Sequence, residues 1–153
     1  MLHMDEVPED FGLQDQDGKE FRLSQSRGKR ILLSFHPLAW TPVCTGQMKS
    51  LEEHFRDFEA LNTIALGISV DSVPCKKAWA EKIGLKNTRI LADFWPHGEL
   101  ARQLGIFREK NGFSERANII LDESHKLVFF RVYPVHTLPD IQEVLTALKN
   151  LKG

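Results

Sequence analysis

The sequence is poor in cysteine: its 153 residues include only two, Cys44 and Cys75. Two cysteines do not make the disulfide framework of a small secreted domain, and a chain of this length buries enough surface to fold without one. We therefore expect a reducing, cytoplasmic setting, where a cysteine is buried filler, a metal ligand or a reactive thiol.

The sequence also lacks long apolar runs and clusters of one charge. No stretch reaches the roughly 18 apolar residues that a membrane span requires, and the N-terminal MLHMDEVPED is acidic, without the apolar region of a signal peptide. The 20 basic and 21 acidic residues leave a net charge of -1, and no basic run occurs. The sequence therefore predicts neither nucleic-acid binding nor membrane binding.

Metal-ligand spacing is absent as well. The histidines, among them His36, His54, His97, His125 and His136, form no i, i+4 pair and no cluster with a cysteine. We therefore predict no metal and no other cofactor. We interpret His97 as a residue at the start of a helix.

Apolar runs alternate with helical patterns along the chain. The order of strands and helices predicts right-handed crossovers, a parallel core and a late antiparallel strand pair. We predict one α/β domain over 1–153, with a central mixed sheet flanked by helices and an N-terminal β-hairpin, an arrangement that resembles the thioredoxin-like fold. The predicted elements are a hairpin over 9–23 turning at Asp17-Gly18 in two residues, strands over 30–35, 63–70, 89–93, 116–122 and 126–133, and helices from near Val43 to 61, from Ser72 to Gly84, over 97–105 and over 138–151.

Cys44 lies between the predicted strand 30–35 and the helix that follows it. Sites in open α/β sheets form beyond the carboxyl ends of strands. The N-terminus of a helix stabilises a thiolate, which is the reactive form of cysteine. Pro37 and Pro42 stiffen the approach, and Pro42 keeps Thr41 out of the helical conformation. The hydroxyl of Thr41 can then donate and accept hydrogen bonds close to the sulfur.

The residues alone allow one other interpretation of Cys44 and argue against a second. It could be a small buried hydrophobe, as free cysteines often are. Thioredoxin-type exchange chemistry would need a second cysteine in a C-x-x-C motif, but position 47 is glutamine and position 41 is threonine.

The stretch around Cys44 resembles the active-site signature of the peroxiredoxins, P-x-x-x-T-x-x-C, here Pro37, Thr41 and Cys44. The longer pattern F-x-P-x-x-W-T-P-V-C-T-x-Q matches over 35–47, and ERANIILD at 115–122 is similar to the stretch that carries the family's active-site arginine, here Arg116. DFWPHGELARQLGIF at 93–107 resembles the branch of alkyl hydroperoxide reductase E and the bacterioferritin-comigratory-protein-like enzymes.

Two residues depart from the family pattern. His36 stands where an aromatic residue is usual, and Asn118 stands where threonine, valine or serine is usual. Neither change removes a group that the chemistry requires.

The resemblance implies a thiol-dependent peroxidase that reduces hydrogen peroxide and organic hydroperoxides through a cysteine sulfenic acid. It implies that Cys44 attacks the peroxide and that Arg116 stabilises the thiolate and the leaving oxygen. Thr41 would orient the peroxide, and Pro37 would pack over the sulfur. Trp40, Phe94 and Trp95 are interpreted as apolar walls for the peroxide or as part of a dimer interface.

Cys75 lies at the start of the helix after the next strand, at the same end of the predicted sheet as Cys44. It resembles the resolving cysteine of some peroxiredoxins, which implies an intramolecular disulfide that thioredoxin or a similar dithiol reduces. One alternative is an inert Cys75 in a one-cysteine enzyme that uses an external thiol. The others are a thiol–disulfide exchange protein without peroxidase activity and a non-enzymatic protein of the same fold. The resemblance also implies a homodimer and, because a G-G-L-G loop and a C-terminal Tyr-Phe are missing, resistance to over-oxidation.

Overall fold

A β-hairpin opens the regular structure of the protein, for which a computed structural model describes residues 2–151. It pairs β1 (Gly12–Gln14) with β2 (Glu20–Arg22) antiparallel, as the sequence predicts. The predicted two-residue turn is wrong, since the loop runs over 15–19. The N–H of Asp15 donates to the carbonyl of Lys19 at 2.8 Å, and within the loop Gly18 alone has a positive φ, 77°.

The central sheet has five strands and is mixed, which confirms the predicted fold class. Its spatial order is β5-β4-β3-β8-β9; β3, β4 and β5 run parallel, and β8 and β9 are antiparallel to their neighbours. A short hairpin of β6 and β7, which sequence reasoning missed, precedes β8. The strands are β3 (Arg30–Phe35), β4 (Thr63–Ser69), β5 (Arg89–Ala92), β6 (Phe107–Arg108), β7 (Phe113–Ser114), β8 (Arg116–Leu121) and β9 (Leu127–Tyr133).

The predicted helix from Val43 to 61 is interrupted at His54. There the ring Nδ1 and the backbone N–H lie 3.0 and 3.3 Å from the same carbonyl oxygen, that of Ser50, so the side chain competes with the helical bond. The predicted helix over 97–105 is also shorter than expected. The helices are α1 (Pro42–Glu53), α2 (Phe55–Ala60), α3 (Val73–Ile83), α4 (Glu99–Gln103) and α5 (Ile141–Lys149), with a 3-10 helix over Leu23–Ser26.

The core has two layers because β3 is buried along its whole length and its residues alternate between the faces of the sheet. Ile31, Leu33 and Phe35 pack with the N-terminal hairpin and α4, whereas Leu32 packs with α1, α3 and α5. Cys44 belongs to this second layer. The catalytic candidate is therefore anchored in the main helical core.

The structure describes almost all of the predicted domain. The prediction of one domain over 1–153 extends past the described residues at position 1 and at 152 and 153. Across 2–151, no helix combines the length and the apolar character needed to cross a membrane.

Candidate active site

Cys44 lies in the first turn of α1, which follows the loop over 36–41 after β3, and it is fully buried. Thr41 precedes the helix with extended angles, φ -102° and ψ 151°, as a residue before proline prefers. The first-turn N–H groups of a helix have no partner within the helix, and the side chain of Thr41 makes no cap bond to them. The N–H groups at the helix start that carries Cys44 are therefore not capped by Thr41.

Arg116 is the cation of the site. Its Nη1 donates to Sγ of Cys44 at 3.4 Å. The pairing of Phe35 with Ala117 in the sheet brings the first residue of β8 beside the end of β3. Opposite unit charges about 4 Å apart attract by about 4 kcal/mol near a protein surface, more than the roughly 1 kcal/mol net of a neutral hydrogen bond. Arg116 is therefore placed to stabilise a thiolate.

The guanidinium of Arg116 is held on two sides. Nε and Nη2 both donate to the carbonyl of Val135, at 3.0 and 2.6 Å. Nη1 donates to Oε1 of Gln47 at 2.7 Å as well as to the sulfur. Arg116 is 3% exposed, so it is not an ordinary surface charge.

Gln47 was not singled out from the sequence, although it lies one helical turn after Cys44 and so shares its face. Its Nε2 donates to Oγ of Ser34 at 2.8 Å and to the carbonyl of Phe35 at 3.1 Å. Both hydrogens of the amide are thereby used, and Oε1 faces Arg116.

A cleft of about 340 Å³ opens beside the arginine. Thr41 lines it, and its hydroxyl donates to the carbonyl of Leu38 at 2.8 Å, which leaves the oxygen free to accept. Pro37 is buried and also lines the cleft. The full lining consists of Pro37, Leu38, Thr41, Pro42, Val43, Phe113, Arg116, Val135 and His136.

Cys75 is a free, partly buried thiol in the first turn of α3. Its thiol donates to Oδ1 of Asp71 at 3.8 Å, and its N–H donates to the N-cap hydroxyl of Ser72 at 3.4 Å. Burial raises the pKa of the Cys75 thiol above its ordinary value, and the charge of Asp71 raises it further. Cys75 is therefore held in its protonated form.

Asp71 also contacts the loop that precedes Cys44. Its Oδ2 accepts from the N–H of Ala39 at 2.8 Å and from the hydroxyl of Ser69 at 2.6 Å. One carboxylate thus connects the loop before α1 to the thiol of Cys75. Sequence reasoning missed this residue.

His36 and Lys76 form a buried pair that the sequence did not predict. Nζ of Lys76 lies 3.3 Å from Nε2 of His36, and both side chains are 0% exposed. Burial lowers the pKa of Lys76 to about 7, and burial together with the Lys76 charge lowers that of His36 well below 6.5. One feature of the sequence could have indicated the burial of Lys76: it lies three positions before Trp79 in the same helix. Trp79 is part of the core, as expected.

The remaining candidates lie elsewhere. Trp40, Phe94 and Trp95 are 52%, 49% and 80% exposed, and none lines the cleft, so their interpretation as walls for the peroxide is wrong. His97 precedes α4, as predicted, and its Nε2 donates to the carbonyl of Gly112 at 2.6 Å. Among the residues from 2 to 151, no three metal-binding side chains cluster.

A family model described as the AhpC/TSA family matches residues 4–130. The chain belongs to this peroxiredoxin family. Alkyl hydroperoxide reductase E of Mycobacterium tuberculosis is 38% identical over 125 residues, which cover 81% of each chain. Peroxiredoxin 2 of Thermoplasma acidophilum is 36% identical over 135 residues, covering 85% of this chain and 67% of that protein.

Solved peroxiredoxin structures share the fold. AhpC of Enterococcus faecalis superposes with a TM-score of 0.87 at 27% identity, covering 97% of this chain and 92% of that one. Peroxidoxin BcpB of Mycobacterium tuberculosis superposes with a TM-score of 0.86 at 23% identity over all of both chains. These superpositions confirm the thioredoxin-like fold that the sequence predicts.

Proposed function

We propose that this peroxiredoxin is a thiol-dependent peroxidase that reduces hydrogen peroxide and organic hydroperoxides with Cys44. The observation that carries the proposal is the contact of 3.4 Å between Nη1 of Arg116 and Sγ of Cys44. The sulfur lies in the first turn of α1, and its neighbours Val43 and Arg116 line a cleft that an incoming peroxide can occupy. The arrangement combines a stabilised thiolate with donors at the place where negative charge develops.

The reaction is a displacement at oxygen. The Cys44 thiolate attacks the terminal peroxide oxygen, the S–O bond forms, and the O–O bond breaks. Cys44 becomes a sulfenic acid, and the departing oxygen takes a proton to leave as water or an alcohol. Arg116 stabilises the departing oxygen, and the Thr41 oxygen accepts a hydrogen bond from the O–H of the peroxide because its own hydrogen is used at Leu38.

The cleft supports organic hydroperoxides as substrates. Apart from Arg116, Thr41 and His136, its lining is apolar, with Leu38, Val43 and Phe113 among the side chains at its walls. An alkyl group would gain stabilisation there in proportion to the apolar area that it buries.

We further propose that Cys75 resolves the sulfenic acid. The Cys75 thiolate would attack the Cys44 sulfur, forming an intramolecular disulfide and releasing water. In support, α1 and α3 follow the parallel strands β3 and β4, so both helices begin at the end of the sheet where these strands have their carboxyl ends. Since Cys44 is buried and Cys75 is hydrogen-bonded to Asp71, one or both helix starts must open first. Thioredoxin or a similar dithiol would then reduce the disulfide.

The second candidate is a one-cysteine peroxidase that uses an external thiol. It is favoured by one observation, the protonated state in which Asp71 holds Cys75. In either case we propose a cytoplasmic homodimer. The two free thiols suit a reducing compartment, and the exposed Trp40 and Trp95 suit a subunit contact.

Intact mass after one equivalent of hydrogen peroxide, followed by disulfide mapping, tests these proposals. A loss of two hydrogens with a Cys44–Cys75 linkage supports the two-cysteine cycle. A gain of one oxygen on Cys44 that persists in Cys75→Ser supports the one-cysteine enzyme. If neither thiol changes rapidly, and Cys44→Ser behaves as the wild type does, the peroxidase proposal is wrong.

A further inference from the structure

A line of buried polar side chains begins at Nη1 of Arg116, the nitrogen that also donates to the Cys44 sulfur. Nη1 of Arg116 donates to Oε1 of Gln47 at 2.7 Å, and Nε2 of Gln47 donates to Oγ of Ser34 at 2.8 Å. The hydroxyl of Ser34 then donates to Oδ1 of Asn118 at 2.7 Å. Gln47, Ser34 and Asn118 are each at most 3% exposed.

The line continues across the sheet to its edge. Nδ2 of Asn118 donates to the hydroxyl oxygen of Tyr133 at 3.4 Å, and that hydroxyl donates to Oε1 of Glu143 on α5. The other carboxylate oxygen of Glu143 pairs with Arg131 at the surface. Every link from Arg116 to Glu143 therefore runs in one direction, each group donating to the next.

The carboxylate at the end determines this direction. An ionised carboxylate only accepts, so Tyr133 must donate to Glu143 and its oxygen must accept from Asn118. The amide oxygen of Asn118 then faces Ser34, whose hydroxyl donates to it and accepts from Gln47. In this arrangement Gln47 turns its oxygen towards the arginine, and the Phe35 carbonyl, which accepts from Nε2 of Gln47 at 3.1 Å, supports the same orientation.

Tyr133 keeps its proton over the working range. Burial and the hydrogen bond to Glu143 raise the pKa of Tyr133 to about 12. The direction of the line therefore persists from neutral to mildly alkaline pH. Polar groups linked in this way also strengthen one another inside a protein.

A reversed Gln47 would place an NH2 group against the guanidinium of Arg116. Two donors would then face each other, and Arg116 would lose an acceptor on the side opposite Val135. We propose that Asn118 and Tyr133 are positioning residues that hold Arg116 against the Cys44 sulfur, an inference that rests on the proposed peroxidase function. They touch neither the sulfur nor the cleft, and act through Ser34 and Gln47.

The test compares Tyr133→Phe and Asn118→Leu in a Cys75→Ser background, where only Cys44 reacts. Rapid mixing with hydrogen peroxide gives the rate of Cys44 oxidation, and ultraviolet absorbance of the thiolate is followed against pH. We expect each variant to react about 5- to 20-fold more slowly. We also expect the thiolate absorbance curve to move towards higher pH, because the cation is no longer held at the sulfur.

Arg131→Gln is the matched control, because it removes the surface ion pair of Glu143 and leaves the buried line intact. We expect its rate to stay within about twofold of the parent. Tyr133→Phe preserves the ring and so decides the matter even if Asn118→Leu does not fold.

The outcomes separate the two proposals. A folded Tyr133→Phe variant with the parent's rate and thiolate curve overturns the positioning role only. A parent protein that does not react with peroxide overturns the peroxidase function. In that case the thiolate curves of the variants still test the positioning role: a curve that matches the parent's overturns it, and a curve that moves to higher pH supports it.

Discussion

Nζ of Lys76 lies 3.3 Å from Nε2 of His36, and neither side chain is exposed to solvent. Lys76 also lies about 5.9 Å from the ring centroid of Trp79. If Nε2 of His36 accepts from Lys76, the hydrogen lies on Nδ1, which has no hydrogen-bond partner among the described residues. A buried amine held in this way makes the stability of the fold depend on pH.

We predict that stability rises with pH between about 7 and 10.5. The pKa of Lys76 is lowered from 10.5 to about 7 by burial, so in this window the unfolded chain binds a proton that the folded chain does not. Stability therefore rises with pH, by up to about 1.4 kcal/mol per unit. The effect is absent below pH 7, where both states of Lys76 are protonated. Urea unfolding at pH 7 and pH 9 measures it.

Lys76→Met should remove most of this dependence, because methionine fills a similar space without a titrating group. Lys77→Met is the matched control: Lys77 is 56% exposed and should leave the dependence unchanged. Equal slopes for wild type and Lys76→Met would contradict the prediction.

A second prediction concerns the cation at the sulfur. Arg116→Lys keeps the charge, but a single ammonium cannot reach Cys44, Gln47 and Val135 together. We expect the rate constant for oxidation by peroxide to fall about 100- to 1000-fold. Rapid-mixing fluorescence measures it, and Arg56→Lys, at a side chain 86% exposed, is the control. A loss of less than about threefold would exclude a catalytic role for Arg116.

A third prediction concerns the resolving step. Because burial and the charge of Asp71 raise the pKa of Cys75 above 9.0, its thiolate is scarce at pH 7. We expect disulfide formation to speed up about tenfold per pH unit between pH 7 and 9, until helix opening limits it. Asp71→Asn should accelerate it several-fold at pH 7 by removing the charge. Quenched-flow mass spectrometry follows the loss of the sulfenic acid.

The control for Asp71 is Asp57→Asn, at an exposed position of α2. Its rate should match that of the wild type. If Asp71→Asn forms the disulfide more slowly, the carboxylate promotes resolution rather than restraining it. If no variant forms the disulfide, Cys75 does not resolve and the one-cysteine cycle remains.

A fourth prediction concerns the orientation of the peroxide. Thr41→Val preserves the shape of the side chain but removes the oxygen that accepts from the peroxide. We expect the oxidation rate to fall about 10- to 100-fold. Thr41→Ser keeps the hydroxyl and should retain most of the activity. Equal losses in both variants would show that packing of the methyl group, and not the hydroxyl, matters.

Local signals sufficed for part of the fold and of the site. The apolar run of β3 and the prolines before α1 placed Cys44 at a helix start, and the structure confirms that position. The predicted limits of α3 are also confirmed: Ser72 is its N-cap and Gly84 its C-cap. These features depend on residues that are close together along the chain, where spacing and capping chemistry act.

Other features depend on contacts that no local pattern encodes. The break at His54 arises from a side chain that competes for a backbone acceptor. The pairing of Arg116 with Cys44 spans 72 positions and was inferred only through family resemblance. Lys76 looks in the sequence like one more surface lysine beside Lys77, and the core shows otherwise.

The sequence by itself determined a cysteine at the start of a helix, on a mixed sheet of peroxiredoxin type. Hydrophobic periodicity, proline and helix-end chemistry act within a few residues, and so they can be read from the chain. Only the tertiary structure decided which groups bind the residues of the site. The Val135 carbonyl and Gln47 accept from Arg116, Asp71 accepts from Cys75, and a line of hydrogen bonds leads to Glu143. Such contacts form only after strands distant in sequence pair, because burial then leaves each polar group with the partners that the packing provides.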